Sequence, residues 1–400
     1  MRLALVSQEY PPETAHGGIG TQTYLKAHGL ASLGHEVHVI SHSTDNEKHE
    51  YDDGQVHVVR IPGFDERLPI QTELVRWLTY SAAVAGAIAE LHSRLPLDLL
   101  DFPEWGCEAY VHLLNRAEWN HIPTVIQLHG PLVMFAQAVG WPDVQSDLYR
   151  VGTAMEATCL QLADSVFSSS RCSAEWCANH YGLDRQEIPV LHTGVDTCLF
   201  CRQDVTKEDR PTVLSVGSVE RNKGVEFLLA ACLRLAKEHP GLQLRIIGRG
   251  NELLIEELKL KAQSAGFGEL LDLQGYVDRR ELPRHFSRAH VFASPSLYEG
   301  GPSFVCLEAM ACELPVIASD GSGTAEVVTS EQNGLLVPPG DIDALETALR
   351  RLISDKTLRR EIGARGREYV LREADSTTCL RRLERYYKSV VAPFAGRAQG

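Results

Sequence analysis

Short apolar runs alternate with longer amphipathic segments along nearly the whole chain. An apolar run at 2–7 is followed by a glycine-bearing loop at 8–20, a helical pattern at 21–34 and a second apolar run at 35–41. This order predicts a βαβ unit. Further strand-like runs in the first half lie at 56–61, 97–102, 123–130, 165–170 and 188–194, and a long helical pattern covers 72–94.

The same alternation starts again near residue 211. A strand-like run at 211–218 precedes a helical pattern at 224–239, in which apolar residues recur three and four positions apart. The later strand-like runs lie at 242–250, 270–277, 290–296, 315–320 and 333–340. Short buried strands that alternate with helices predict parallel sheets covered on both faces.

Two such series predict an α/β protein with two doubly wound, Rossmann-like domains. We place them at 1–205 and 206–375, with the boundary in a polar stretch near 200–210. The last segment, 376–400, is expected to form a helix that returns to the first domain. Ligands of doubly wound sheets bind at the carboxyl ends of the strands, so two such domains facing a central cleft could each hold one substrate.

Composition is that of a soluble globular protein. The 400 residues are 44% hydrophobic and 23% charged, and no window approaches the apolar length of a membrane span. The apolar run among the first residues is too short for the core of a signal peptide, so the expected location is the cytoplasm. The ten cysteines lie mostly in apolar runs, which suits a reduced chain. The loose spacing of Cys172, Cys177, Cys198 and Cys201 leaves zinc as a minor alternative.

The charge is unevenly distributed. Of the net −14, all lies in the first half, because residues 1–205 carry 26 acidic and 12 basic side chains while the remainder carries 27 of each. An acidic half disfavours nucleic acid and anionic membranes as its partners. A plain solubility surface explains such an imbalance equally simply.

Three constellations could carry chemistry. Gly17, Gly18 and Gly20 lie between the first strand and helix, where backbone N–H groups can approach an anion, although a tight turn fits as well. Arg221 and Lys223 open a helix after a strand, where basic residues are disfavoured unless an anion compensates them. The third is SLYEGGPSFVCLEAMA, residues 296–311, in which two glutamates bracket a glycine loop; alone, helix capping explains them.

Taken together, these motifs resemble the retaining glycosyltransferases of the GT-B fold, in glycosyltransferase family 4. The resemblance covers nearly the whole chain. Its pieces are the glycine loop at 17–18, HG at 129–130, TGVD at 193–196, VGSVERNKG at 216–224, IIGRG at 246–250, the EGGPSFVCLEAMA stretch and NGLLVPPGD at 333–341. Two departures stand out. Eight residues instead of seven separate the two glutamates, and Ser218 stands where the family commonly has arginine.

The resemblance implies a role for each matching residue. Glu308 would hold the ribose and Glu299 the donor sugar, with Gly300, Gly301, Ser303 and Phe304 along the sugar and diphosphate. Arg221 and Lys223 would neutralise the leaving diphosphate, and Gly17 and Gly18 would approach it. His129 would contact the donor sugar, although a histidine satisfied by the core is the simpler reading of it alone. Gly248, Gly275 and Val277 would lie along the base.

The expected activity is transfer of a hexose-type sugar from a nucleotide sugar, with a UDP-sugar favoured over GDP-mannose. The charge predicts a soluble, amino-bearing acceptor such as an aminocyclitol, and stable membrane association is not expected. No cofactor or metal is implied; Asp341 and Asp343 are interpreted as helix caps. The alternatives are a lipid-carrier or polysaccharide glycosyltransferase, a GT-B epimerase acting on UDP-GlcNAc, and a degenerate scaffold subunit.

Overall fold

The computed structural model describes residues 1–14, 18–63, 70–321 and 323–394. Within these ranges the chain forms two compact units. The first contains Met1–His192 together with the chain from Cys379 onward, and the second contains Thr193–Thr378. Each unit is built around one sheet that carries helices.

The described residues of the first unit form a seven-stranded sheet in the order β3-β4-β2-β1-β5-β6-β7. Its strands are β1 (Arg2–Val6), β2 (Glu36–His42), β3 (His49–Asp53), β4 (Val56–Ile61), β5 (Leu99–Pro103), β6 (Thr124–Leu128) and β7 (Ser165–Ser168). Its helices are α1 (Gly18–Ser32), α2 (Glu73–Arg94), α3 (Tyr110–Leu114), α4 (Leu132–Val139), α5 (Asp147–Leu162) and α6 (Arg171–Tyr181). All pairings are parallel except that of β3 with β4.

The described residues of the second unit form a six-stranded parallel sheet in the order β10-β9-β8-β11-β12-β13. Its strands are β8 (Thr212–Val216), β9 (Gln243–Ile247), β10 (Leu271–Gly275), β11 (Val291–Ser294), β12 (Val316–Ser319) and β13 (Leu335–Val337). Its helices are α7 (Val225–Leu235), α8 (Glu252–Ser264), α9 (Leu282–Arg288), α10 (Phe304–Ala311), α11 (Ile342–Ser354) and α12 (Lys356–Glu373). The last helix, α13 (Ser376–Val391), begins in the second unit and continues in the first.

Local sequence explains several element ends. Thr72 begins α2 because its hydroxyl accepts a hydrogen bond from the Val75 N–H at 3.4 Å. Asp341 does the same for α11 through the Ala344 N–H at 2.9 Å, which is the capping role expected for it. Two predictions differ. The run at 188–194 makes only an isolated bridge to β7, between Ser168 and Val190. The polar edge strand β3 was not predicted, because its exposed residues show no apolar alternation.

The second unit begins earlier than the sequence predicts, at Thr193 instead of 206. The side chains of Val195 and Phe200 are fully buried in the second unit's core, and Arg367 donates a 2.8 Å hydrogen bond to the Phe200 carbonyl. The polar stretch after Phe200 resembles a linker in composition, yet the chain has already joined the second core before it.

Helix α13 leaves the second unit and packs against the first. Tyr387 is fully buried in the cluster that contains β1, β2 and α1, and its hydroxyl donates a hydrogen bond to Asp101 of β5. The adjacent Tyr386 hydroxyl donates to Ser165 Oγ at 2.7 Å. Leu380 lies against Gly29 of α1, where a larger residue would collide with it. The C-terminal helix is therefore part of the first unit's core.

Candidate functional site

Loops that follow the strands of the second sheet carry most of the predicted site residues. Gly248 follows β9, Gly275 ends β10, and Glu299 follows β11. Because these strands and β8 are parallel within one sheet, their carboxyl ends lie at one edge. This is the edge at which doubly wound sheets bind ligands.

Glycines let the backbone pass closely at this edge. The Gly248 N–H donates to the Gly275 carbonyl at 2.7 Å, and the φ of Gly248 is 149°. A Cβ atom on Gly248 would collide with the Gly217 carbonyl oxygen, so only glycine fits there. The next predicted residue, Val277, is partly buried and packs against the unit's core. The loops that follow β8, β9 and β10 therefore approach one another through their backbones at this edge.

Lys223 and Glu299 form an ion pair at the same edge. The Lys223 Nζ lies 2.8 Å from Glu299 Oε1, and the Ser296 hydroxyl donates to that oxygen at 2.8 Å. Both charged side chains are partly exposed, Lys223 by 31% and Glu299 by 18%. The additional residue between the two glutamates therefore leaves Glu299 beside the lysine with which the resemblance groups it.

The glycine loop leads directly into α10. Gly301 packs against the backbone of Gly323, where a Cβ atom would collide, and the Ser303 N–H donates to Thr324 Oγ1 at 3.1 Å. Helix α10 then begins at Phe304, with Gly300 preceding it in the loop. The first-turn N–H groups of a helix have no partner inside the helix and favour an anion. This end of α10 can therefore bind phosphate oxygens.

Glu308 is buried within α10 and pairs with a residue that the sequence analysis did not single out. Arg279 donates to Glu308 Oε1 through Nη2 at 2.6 Å and Nε at 3.0 Å, and its guanidinium lies 4.9 Å from the Phe200 ring. Burial raises the pKa of Glu308, while Arg279 acts in the opposite direction. Among the described residues, Glu308 Oε2 accepts no hydrogen bond. A signal was available, since Arg279 lies two residues after Val277, which the resemblance places along the base.

Arg221 pairs with carboxylates other than Glu299. Its guanidinium donates to Glu226 of α7 at 2.6 Å and to Glu257 of α8 at 2.8 Å, and 59% of its side chain is exposed. The positive charge of Arg221, which was expected to neutralise a diphosphate, is therefore already paired with these two carboxylates. The structure thus brings Lys223, and not Arg221, to Glu299.

His129 lies at the carboxyl end of β6 in the first unit. Its backbone N–H donates to both carboxyl oxygens of Glu104 at 2.8 Å, and the Gly130 backbone N–H also donates to Glu104. Burial, with the charge of Lys26 as a second cause, lowers the pKa of His129 to about 3. The imidazole is therefore neutral at physiological pH, and its ring can donate one hydrogen bond and accept another. Burial raises the pKa of Glu104 to about 7.

Lys26 is a buried cation that sequence reasoning missed. Its Nζ donates to Asp101 Oδ1 at 2.7 Å and to Gln127 Oε1 at 3.0 Å. Asp101 also accepts from Tyr387, so the network joins α1, β5, β6 and α13. A lysine on an amphipathic helix gives no pattern that predicts burial, and its partner is distant in sequence.

The first glycine loop is described only from Gly18 onward, since Gly17 lies outside the described residues. Gly18 begins α1, and a Cβ atom there would meet no neighbour. The Glu9 carboxylate accepts a hydrogen bond from the Gly20 N–H at 3.2 Å. A carboxylate of this chain thus already lies at the start of α1.

No group of three or more His, Cys, Asp or Glu side chains in the described part of the chain is arranged to hold a metal. Within the same ranges, no helix has both the length and the apolar character needed to cross a bilayer.

Two family models match the chain in succession. The Glycosyltransferase Family 4 model matches residues 16–198, and the Glycosyl transferases group 1 model matches residues 200–369. A glycogen synthase from Mycobacterium tuberculosis (strain CDC 1551 / Oshkosh) is 27% identical over 375 residues, which cover 89% of this chain and 86% of the relative.

Solved structures agree in fold. Sucrose-phosphate synthase from Thermosynechococcus elongatus superposes with a TM-score of 0.83 at 24% identity, over 98% of this chain and 99% of that one. Anabaena HepE, solved in complex with UDP, superposes with a TM-score of 0.73 at 17% identity, over 97% of this chain and 100% of that one.

The fold and the paired models define a GT-B glycosyltransferase. The chain belongs to glycosyltransferase family 4, and it is an enzyme of the glycosyl-transferring class that uses nucleotide sugars.

Proposed function

We propose that the chain is a retaining hexosyltransferase whose second unit binds a nucleotide sugar. The observation that carries this proposal is the Lys223–Glu299 pair beside the glycine loop and the start of α10. Lys223 supplies positive charge for a diphosphate, and Glu299 supplies acceptors for sugar hydroxyls. One cation and one carboxylate at a helix N-terminus suit a ligand that carries both groups.

The remaining contacts extend the donor site along the sheet edge. Glu308 Oε2 is the acceptor for a ribose hydroxyl, while Arg279 holds the other oxygen. The backbone of Gly248 and of Gly275 to Val277 lies along the base. The backbone N–H groups in the first turn of α10, which begins at Phe304, bind the diphosphate with the aid of the helix dipole.

The chemistry requires stabilisation of a leaving diphosphate. Charge on Lys223 and the dipoles at the start of α10 stabilise the departing oxygens, which lowers the barrier in a preorganised site. In the proposed reaction the acceptor attacks on the face from which the diphosphate leaves, and the diphosphate takes the acceptor's proton. The resemblance gives His129 of the first unit a sugar contact, and burial keeps its imidazole neutral by lowering its pKa.

A UDP-sugar is the favoured donor, with GDP-mannose next; the HepE complex with UDP supports this order for a protein of the same fold. The acidic first 205 residues favour a soluble, amino-bearing acceptor such as an aminocyclitol. A second candidate acceptor is an oligosaccharide or polysaccharide, because a relative that spans most of the chain is named as a glycogen synthase.

A thermal-shift panel of UDP-, GDP- and ADP-sugars tests the donor site, since a ligand that binds only the folded state raises its stability. We expect the UDP-sugar to give the largest shift in the wild type and Glu308→Ala to abolish it. A chain that shifts with none of the donors would be the scaffold subunit of the alternative reading.

A further inference from the structure

A buried carboxylate holds the chain turn that carries His129. We call residues 129–131, which connect β6 to α4, the β6–α4 turn. Glu104 directly follows β5. Its carboxylate accepts the His129 backbone N–H at 2.8 Å to each oxygen and the Gly130 backbone N–H at 2.5 Å. One side chain therefore binds the first two peptide groups of the turn.

A second carboxylate holds the far end of the same turn. Glu156 of α5 accepts hydrogen bonds from the Leu132 backbone N–H at 3.1 Å and from the Tyr181 hydroxyl at 2.7 Å. Pro131 lies between the two carboxylates in the chain and has no N–H to donate. All backbone donors from the start of the turn to the first residue of α4 are thus bound by carboxylates.

Glu104 is buried without a cation beside it. The residue is 1% exposed, and within the part of the chain that the structure describes it forms no ion pair. Burial raises its pKa to about 7, and the groups that oppose this rise are backbone N–H groups. Burying a carboxylate that has no cationic partner costs free energy, whereas a neutral amide costs less. Stability of the fold alone therefore does not account for a carboxylate at this position.

The His129 side chain has no such anchor of its own. The residue is partly buried, and its ring nitrogens make no hydrogen bond with any described residue. Packing limits the turn on another side, since a Cβ atom on Gly130 would lie 2.9 Å from the Phe135 ring. The direction of the imidazole therefore depends on the backbone that Glu104 binds. A group that contacts a reacting substrate acts only when its surroundings fix its orientation.

We propose that Glu104 is a positioning residue of the transfer reaction. Its carboxylate fixes the His129–Gly130 backbone, so that the imidazole is presented to the donor sugar in one orientation. This inference rests on the proposed function, from which it takes the sugar contact of His129. A displacement of about 1 Å in a positioned group can cost about 100-fold in rate. Loss of the Glu104 carboxylate should therefore lower the rate of transfer more than the affinity for the donor.

The test follows the His129 ring by NMR in the full-length enzyme, with histidine labelled with ¹³C at Cε1. The probe is UDP-glucose, or GDP-mannose if the thermal-shift panel favours it, and His129→Gln identifies the signal. Glu104→Gln keeps the size of the side chain but replaces one acceptor oxygen with an N–H donor. Glu104→Asp, which keeps the charge and shortens the side chain, is the second variant.

Glu108→Gln is the matched control. Glu108 is 2% exposed and, like Glu104, lies just after β5, but it accepts from the Gln8 backbone N–H and not from the β6–α4 turn. Thermal unfolding of every variant shows whether the fold is retained.

We expect the probe to shift the His129 signal in the wild type and in Glu108→Gln, and Glu104→Gln to lose at least half of that shift. The thermal stabilisation by the probe should be equal in these three proteins, because the proposed donor-binding groups lie in the second unit. Release of UDP from UDP-glucose should have a kcat about tenfold lower in Glu104→Gln, with KM within about twofold of wild type. Glu104→Asp should show the same changes to a smaller extent.

An unchanged His129 shift in Glu104→Gln, or equal losses in Glu104→Gln and Glu108→Gln, would overturn the inference. A lower unfolding temperature with an unchanged kcat would also overturn it, because the carboxylate would then only support the fold. A probe that stabilises the wild type without moving the His129 signal would remove the inference and keep the donor site. Absence of stabilisation by any UDP-, GDP- or ADP-sugar would instead remove the proposed function.

Discussion

Arg279 directs two guanidinium N–H groups to one oxygen of Glu308 and leaves the other oxygen open. The arginine therefore neutralises the buried charge of Glu308, while the second carboxylate oxygen remains available as a hydrogen-bond acceptor. Glu308 is only 2% exposed, so its ionised form depends on the arginine.

Removing the arginine tests this dependence. We expect Arg279→Ala to lower the free energy of unfolding by about 2 kcal/mol, because it leaves a buried carboxylate unpaired. Adding Glu308→Gln to that variant should recover most of the loss, since the unpaired charge is then gone. Urea unfolding of the two single variants and the double variant measures the coupling, and strictly additive effects would contradict it.

Lys223 and Arg221 differ in their surroundings, and their variants should differ in activity. Lys223→Ala should lower kcat/KM by about 100-fold, since a charge that stabilises a leaving group is worth about 3 kcal/mol. Arg221→Ala should cost less than about fivefold, because its guanidinium already pairs with Glu226 and Glu257. Initial rates with the best donor from the thermal-shift panel decide between them, and equal losses would restore Arg221 to the diphosphate.

The buried Glu108 makes the first unit sensitive to pH. Burial raises its pKa to about 8, so the folded protein holds a proton that the unfolded chain releases near pH 4–5. Stability is therefore lost as the pH rises from about 5 to 8. The Glu108→Gln variant should show a smaller decline. Its free energy of unfolding relative to wild type should therefore rise by about 1–2 kcal/mol between pH 5 and pH 8. Thermal unfolding across this range measures the difference, and parallel curves would exclude it.

The C-terminal helix should contribute measurably to the first unit. Tyr387→Phe removes a buried hydrogen bond to Asp101, and we expect a loss of about 1–3 kcal/mol in the free energy of unfolding. Donor binding serves as the control, because Tyr387 lies outside the second unit. A stability equal to wild type would mean that Lys26 alone satisfies Asp101.

The alternation of apolar runs was sufficient to predict the parallel strands of both sheets, because a strand buried on two faces has a sequence signature of its own. The edge strand β3 has no such signature, since its five residues are polar and their pairing is set by β4. The fold class and the enzyme class were confirmed, whereas the residue roles stay predictions.

The side-chain contacts that could not be predicted join residues that are distant in sequence. Motif spacing identified Lys223 and Glu299 but could not show that their side chains meet. It also assigned a diphosphate to Arg221, whose guanidinium instead pairs with two helix carboxylates. Arg279 and Lys26 bind partners far along the chain, so only the folded structure identifies them.

The entry and exit of the second unit lie side by side. The Val195 N–H donates to the Ala374 carbonyl at 2.8 Å, and the Ser376 N–H donates to the Val195 carbonyl at 2.9 Å. With respect to the first unit, the second is thus an insertion whose ends are clasped together by the backbone. The stretch 193–378 could therefore be exchanged between homologues as one cassette whose two ends already lie together.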